Sequence, residues 1–391
     1  MNSSSIEEIK QKRRIRKIYI FIILIAITGI VLVYETYAWF VGISTVSVDQ
    51  FDIAISGGEG LELSLDASTW TSTTLSVTKS TVEAATGNNN KWVSTTTGEG
   101  LVPISTIGEI NTSQNVLKLY GKGSLAATGG GYRLISSQIE NSSSTEQDGY
   151  IAFNLYIRNG KKDAYASGYD ANADEAVYMS TASSVTVSPS GTGDPTNAKG
   201  LQNSVRVAFA QIGRVKYNSS ASVAKGITCS TQSPVTGLCS SVGTVIWEPN
   251  DKAHDTNLIT YYDTVCKART AANTYSGSCG TVANNAYVHT YAVKKAITAS
   301  NNVNVYDGAD FNTYTSSSTY LQEMDYFTDT EKNTSGNARP EFFKLAANSI
   351  TKVRVYIYLE GQDVDNYDLV SKGKSIRVKF GFTKDKYNVN T

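Results

Sequence analysis

Four stretches of the chain alternate apolar and polar residues strictly. In 150–158, Ile151, Phe153, Leu155 and Ile157 interleave with Tyr150, Ala152, Asn154, Tyr156 and Arg158. In 205–211, Val205, Val207 and Phe209 interleave with Arg206, Ala208 and Ala210. In 352–359, Val353, Val355, Ile357 and Leu359 face away from Lys352, Arg354, Tyr356 and Tyr358. In 376–383, Ile376, Val378, Phe380 and Phe382 oppose Arg377, Lys379, Gly381 and Thr383. A repeat of two is the signature of a strand with one buried face, so each stretch predicts a half-buried strand. Shorter β-branched runs predict strands at 46–55, 61–65, 74–78, 116–119, 185–187 and 244–247. Helical spacing is confined to 285–299 and 319–324. Many short strands separated by Gly, Ser and Asn turns predict an all-β, antiparallel sandwich. Pairing the 150s with the 350s would make 215–345 an inserted excursion.

One segment breaks the alternation. From Ile18 to Tyr34 the residues are almost continuously apolar, twelve of them Ile, Leu, Val or Phe, and none is charged. As a helix these positions span roughly 25 Å, and continuing to Phe40 gives roughly 34 Å, bracketing a ~30 Å bilayer core. Lys10, Lys12, Arg13, Arg14, Arg16 and Lys17 precede the run, and Tyr34, Tyr37, Trp39 and Phe40 follow it. Cations on one flank and aromatic rings on the other predict a crossing with residue 1 in the cytoplasm. The domain plan is therefore a basic segment 1–17, a transmembrane or signal segment 18–38, and an extracellular β domain 39–391. Thr36 and Ala38 are the small residues a signal peptidase reads, with cleavage between Ala38 and Trp39; a retained anchor and a removed signal both stay open.

Composition narrows the function. Lys and Arg number 35 against 35 Asp and Glu, so the chain lacks the positive field that nucleic-acid binders use, and no nucleic-acid partner is expected. Tyr 24 and Gly 31 alongside only 18% charged residues fit a β-rich extracellular protein. Cys229, Cys239, Cys266 and Cys279 are even in number and confined to the excursion, and local pairing of 229 with 239 and of 266 with 279 is preferred among three connectivities. Each short bridge would stabilise by up to about 3 kcal/mol. Asp170, Asn172 and Asp174 match the first ligand positions of a calcium loop, but Glu175 and Thr181 stand where its glycine and terminal Glu belong, so a surface turn is preferred. No cofactor or metal is expected. No nucleophile elbow, phosphate loop or zinc-protease motif occurs; only loop carboxylates such as Glu360, Asp363 and Asp365 offer acid–base chemistry.

The stretch Thr36-Tyr37-Ala38-Trp39-Phe40, the strand running to Ile55 and Gly60-Leu61-Glu62-Leu63-Ser64 together resemble exported bacterial proteins of the TasA and camelysin kind, with a SipW-type signal segment. Residues 148–159, 246–250, 353–363 and 375–382 are similar to segments of larger relatives. The resemblance implies a jelly-roll-like sandwich on the cell surface or in the extracellular matrix, with fibres formed when one subunit's amino-terminal strand completes the next subunit's sheet. The long apolar run, its six cations and the Cys-bearing excursion depart from that pattern.

Independently of any family, an apolar segment just beyond a membrane boundary either pairs within its own sheet or donates to a neighbour's edge. Val41, Ile43, Val46, Val48, Phe51, Ile53 and Ile55 are the residues that would be donated. The expected function is a non-catalytic surface or matrix component whose partners are the membrane, its own copies or other surface proteins. The rivals are an anchored adhesin or receptor domain binding glycan or protein through Tyr-rich loops, and a surface hydrolase using loop carboxylates; Tyr156, Tyr356 and Tyr358, on predicted outer strand faces, could also contact glycans or another subunit.

Overall fold

The computed structural model describes residues 47–55, 60–85, 100–127, 131–142, 149–160, 174–188, 201–251, 291–298, 303–304, 319–363 and 375–384, with Arg16, Lys17, Tyr19 and Phe21. The chain divides into two units, Met1–Ile43 and Ser44–Thr391. In the first, the four described residues are helical and exposed. Among the described residues no helix is long and apolar enough to cross a membrane, and most of the segment 18–38 lies outside them.

The second unit is built from β-strands with three short α-helices among its described residues. It opens with β1 (Ser47–Ile55), β2 (Leu61–Ser64), β3 (Thr74–Val77), α1 (Lys79–Ala84), β4 (Pro103–Ser105), β5 (Ile110–Asn111) and β6 (Val116–Leu117). The long hairpin β7 (Leu119–Ala127) and β8 (Gly131–Ile139) follows, then β9 (Ile151–Asn159), β10 (Asp174–Met179), β11 (Ser184–Val187) and β12 (Val205–Lys216). Next come α2 (Ala221–Lys225), β13 (Thr236–Gly237), β14 (Thr244–Glu248), β15 (Tyr291–Val293), β16 (Val303–Asn304), β17 (Leu321–Glu323) and β18 (Phe327–Thr328). The chain closes with α3 (Asp329–Lys332), β19 (Phe343–Ala346), β20 (Ser349–Glu360) and β21 (Ser375–Thr383).

Two sheets carry the fold. The smaller runs β19-β10-β21-β1-β3, with β11 also on β21; the larger centres on β20, flanked by β12 and β9. The pairing of the 150s with the 350s is present: Ile151 opposes Ile357, and Asn159 opposes Ser349, in antiparallel register. Most pairs are antiparallel; β1 with β21, β14 with β18 and β20 with β4 are parallel. The apolar rows of β9, β12 and β20 meet those of β10, β11 and β21 in one core. At its centre the Phe209 ring meets Phe342 and Phe380 edge-on, each at 5.1 Å. Fully burying such a side chain is worth about 1.5–3 kcal/mol.

Three expectations require correction. The strands β9, β12 and β20 are buried on both faces, whereas β21 keeps Arg377 and Lys379 exposed and is the half-buried strand its pattern implies. On the second face, Tyr150, Ala152, Tyr156, Ala208, Ala210, Tyr356 and Tyr358 join Ile104, Leu117, Ala224, Ile227, Cys239 and Tyr326 in a separate apolar cluster. This layer of loops and α2 removes the face from water, so Tyr156, Tyr356 and Tyr358 are buried rather than displayed to a glycan or partner. Helical spacing also misleads at 285–299 and 319–324. Tyr291–Val293 and Leu321–Glu323 are instead paired strands, because their apolar residues close a third cluster against Tyr120. Parts of 215–345 are sheet members, since β14 pairs with β12, and β19 with β10.

Candidate functional site

The residues singled out for assembly lie in and before β1. Its place is inside the smaller sheet, between β21 on one side and β3 on the other. Val48, Phe51, Ile53 and Ile55 align with Ile376, Val378, Phe380 and Phe382, four fully buried residues of β21. The apolar phase of β1 changes between Val48 and Phe51, and the register shifts there by one extra residue. That bulge brings both halves onto one repeat against β21. Ile53 is fully buried in the main core. On the other side Phe51 to Ala54 pair with Val77 to Thr74. Val41, Ile43, Val46 and the cleavage pair Ala38 and Trp39 lie outside the described residues.

Leaving β1, the chain crosses to the larger sheet, where β2 pairs with β9. Immediately before β2 stands Gly60, whose φ is +100° and whose carbonyl accepts the Gly160 N–H at 2.7 Å. A β-carbon at Gly60 would sit 1.8 Å from the Gly160 carbonyl oxygen, so no side chain fits there.

The bridge between Cys229 and Cys239 is present, while Cys266 and Cys279 lie outside the described residues. Its loop lies directly on β12. Gly213 pairs with Gly237, and a β-carbon on either would collide with the loop backbone, at 2.9 Å from Thr228 O and 1.9 Å from Cys229 O respectively. Lys352 fastens the same layer by donating to the carbonyls of Lys225 and Ile227 at 3.0 and 3.1 Å. Burial, with Arg354 adding repulsion, pulls its pKa down to about 8.

Of the loop carboxylates, Asp365 lies outside the described residues and the other two are not at the surface. Glu360 and Asp363 are 0% and 1% exposed, at the end of β20 where β4, β12 and β14 converge. Beside Asp363 stands Arg206, also fully buried, which donates to Glu248 at 2.5 Å, to Asp363, and to the carbonyls of Asn203 and Val205. Burial opposes its charge, but Glu248 and Asp363 hold its pKa above the ordinary value. Glu360 accepts from Ser105 and from the Gln362 N–H, yet burial dominates and pushes its carboxyl up to about 8. The Tyr358 hydroxyl in this region is buried with no partner among the described residues. The alternation had assigned Arg206 and Arg354 to solvent. The available signal was Glu248, Glu360 and Asp363, each at a strand end.

Asp174, the third residue of the calcium-like stretch, opens β10 and ion-pairs with Arg214 at 3.0 Å; Asp170 and Asn172 lie outside the described residues. Among the described residues no group of three or more His, Cys, Asp or Glu could hold a metal ion. Compared with protein-family models, curated proteins and solved structures, the chain finds no match.

Proposed function

We propose that the chain is a non-catalytic structural protein of a bacterial surface or extracellular matrix, with a jelly-roll-like sandwich exported behind the apolar segment 18–34. Its main partners are further copies of itself, joined when β1 of one copy takes the β1 position of the next. The observation that carries this reading is the position of β1. It is the first strand after the apolar run, and it is held by backbone pairing on two sides. An identical strand from a neighbour restores the same pairs, so exchange conserves the ladder and the burial of Ile53. The bridge between Cys229 and Cys239 supports an oxidising compartment. Five residues that could have served a glycan-binding or hydrolytic surface, Tyr156, Tyr356, Tyr358, Glu360 and Asp363, are buried, which favours the structural role.

Two measurements test it. Terminal sequencing of surface material should begin at Trp39, and electron microscopy should find fibres that disappear when 41–55 are deleted. Material beginning at Met1 would remove the exchange mechanism, and fibres that persist after the deletion would reject it.

A further inference from the structure

Three side chains from three elements meet where β9 and β21 end and β10 begins. Lys384, the residue after β21, lies 2.5 Å from Glu175 Oε2 on β10. The same oxygen accepts from Asn159 Nδ2, at the end of β9, at 3.1 Å. Sharing one oxygen keeps the amine and the amide nitrogen within about 6 Å of each other. The side chains of Lys384 and Glu175 are 15% and 18% exposed, and Asn159 is fully buried. Asn159 Nδ2 also faces the carbonyls of Leu345 and Ala346 at 3.3 and 3.2 Å. Three acceptors around one atom fix it as the nitrogen, because the flipped amide would set oxygen against oxygen. Asn159 Oδ1 is buried with no partner among the described residues. The neighbouring Asp174 is engaged by Arg214 at 3.0 Å.

We propose that Lys384 and Asn159 form an intramolecular isopeptide bond, with Glu175 carrying the proton between them. An amine and an amide held together in a mostly dry site react as one molecule rather than as two in dilute solution. Glu175 takes a proton from the Lys384 ammonium, and the freed amine adds to the Asn159 amide carbon. In the tetrahedral adduct the leaving amide nitrogen receives that proton back from Glu175, the carbon–nitrogen bond breaks, and ammonia departs. Glu175, ionised again, takes the second proton from the former lysine nitrogen and hands it to the departing ammonia. A lysine ammonium and a primary amide thus become a secondary amide and an ammonium ion, with no oxidant or cofactor. The bond joins β9 of the larger sheet to the end of β21 in the smaller one.

Asn159 is followed by Gly160, and attack by that glycine nitrogen would give a succinimide with the same loss of ammonia. The Gly160 N–H is instead bonded to Gly60 O at 2.7 Å, which holds its nitrogen to another task. The test is peptide mapping of the full-length protein by tandem mass spectrometry. The expected result is a branched peptide joining the segments that contain residues 159 and 384, lighter than their sum by one ammonia. Lys384→Arg should abolish it. Glu175→Gln should reduce the cross-linked fraction by about a hundredfold while circular dichroism and the bridge between Cys229 and Cys239 stay unchanged. Separate, unmodified peptides from the folded wild-type chain would overturn the proposal. An ammonia loss that lies within one linear peptide and is cleaved by hydroxylamine would assign a succinimide and overturn it equally. Undiminished cross-linking in Glu175→Gln would overturn the role of Glu175.

Discussion

Replacing Glu360 with Gln isolates the most perturbed carboxyl described. Glu360 is fully buried, and its pKa rises from the ordinary 4.5 to about 8, first because of burial and further because Asp363 is near; Ser105, the Gln362 N–H and Arg206 oppose the rise. An acid whose folded pKa is raised binds its proton more tightly when folded than when unfolded. Its contribution to stability is therefore full below about pH 4.5 and is lost as pH climbs through about 8. At 1.36 kcal/mol per pKa unit, the interval from 4.5 to about 8 is worth ~5 kcal/mol. That is comparable with the whole stability of many folded proteins, about 5–15 kcal/mol. Gln has the shape of the protonated acid and no charge to desolvate, and its amide can donate toward the Tyr326 and Tyr358 hydroxyls. Urea unfolding from pH 5 to pH 9 should find the two proteins within about 1 kcal/mol at pH 5, with the variant more stable by several kcal/mol at pH 9. Parallel profiles across that range would refute the assignment of a buried, protonated Glu360.

Other outcomes follow from the same geometry. Arg206→Met strips the cation from Glu248 and Asp363 inside the fold, and urea unfolding should register a loss of about 3–5 kcal/mol. Lys352 has a pKa lowered from 10.5 to about 8, so its charged form is disfavoured on folding. Wild-type stability should thus rise by ~3 kcal/mol as pH goes from about 8 to 10.5, and Lys352→Met should flatten that rise in the same assay. Replacing Cys229 and Cys239 together with Ala should cost about 3 kcal/mol, read from the denaturation midpoint. Gly60→Ala should prevent accumulation of folded protein, as measured by yield of material with the native near-ultraviolet dichroism, because its β-carbon would meet the Gly160 carbonyl.

The strands were legible because alternation is a local property. The four alternating stretches became β9, β12, β20 and β21, and 46–55, 61–65, 74–78, 185–187 and 244–247 fall on strands with shifts of one residue at most. What lies above a sheet is not local. Tyr356 opposes Ala208 on one neighbouring strand and Ala152 on the other, a small-large-small row suited to a covered layer. Read along one strand, the same Tyr passes for a solvent-facing ring. The charged partners of Arg206 come from positions 42 and 157 residues away, so no window of sequence brings them together. The hairpin β7–β8 was missed because its Gly, Ser and Lys residues carry little β signal, and its strand order comes from pairing rather than propensity.

The parallel seating of β1 against β21 puts the first and last described strands side by side. Ribosomes emit about 5–20 residues per second, so the first strand waits on the order of half a minute before its permanent neighbour has been made. For that interval β1 is finished chain without its main partner, and the short β3 is the only other neighbour its final sheet position supplies. The smaller sheet can therefore close around β1 only after β21 has been made.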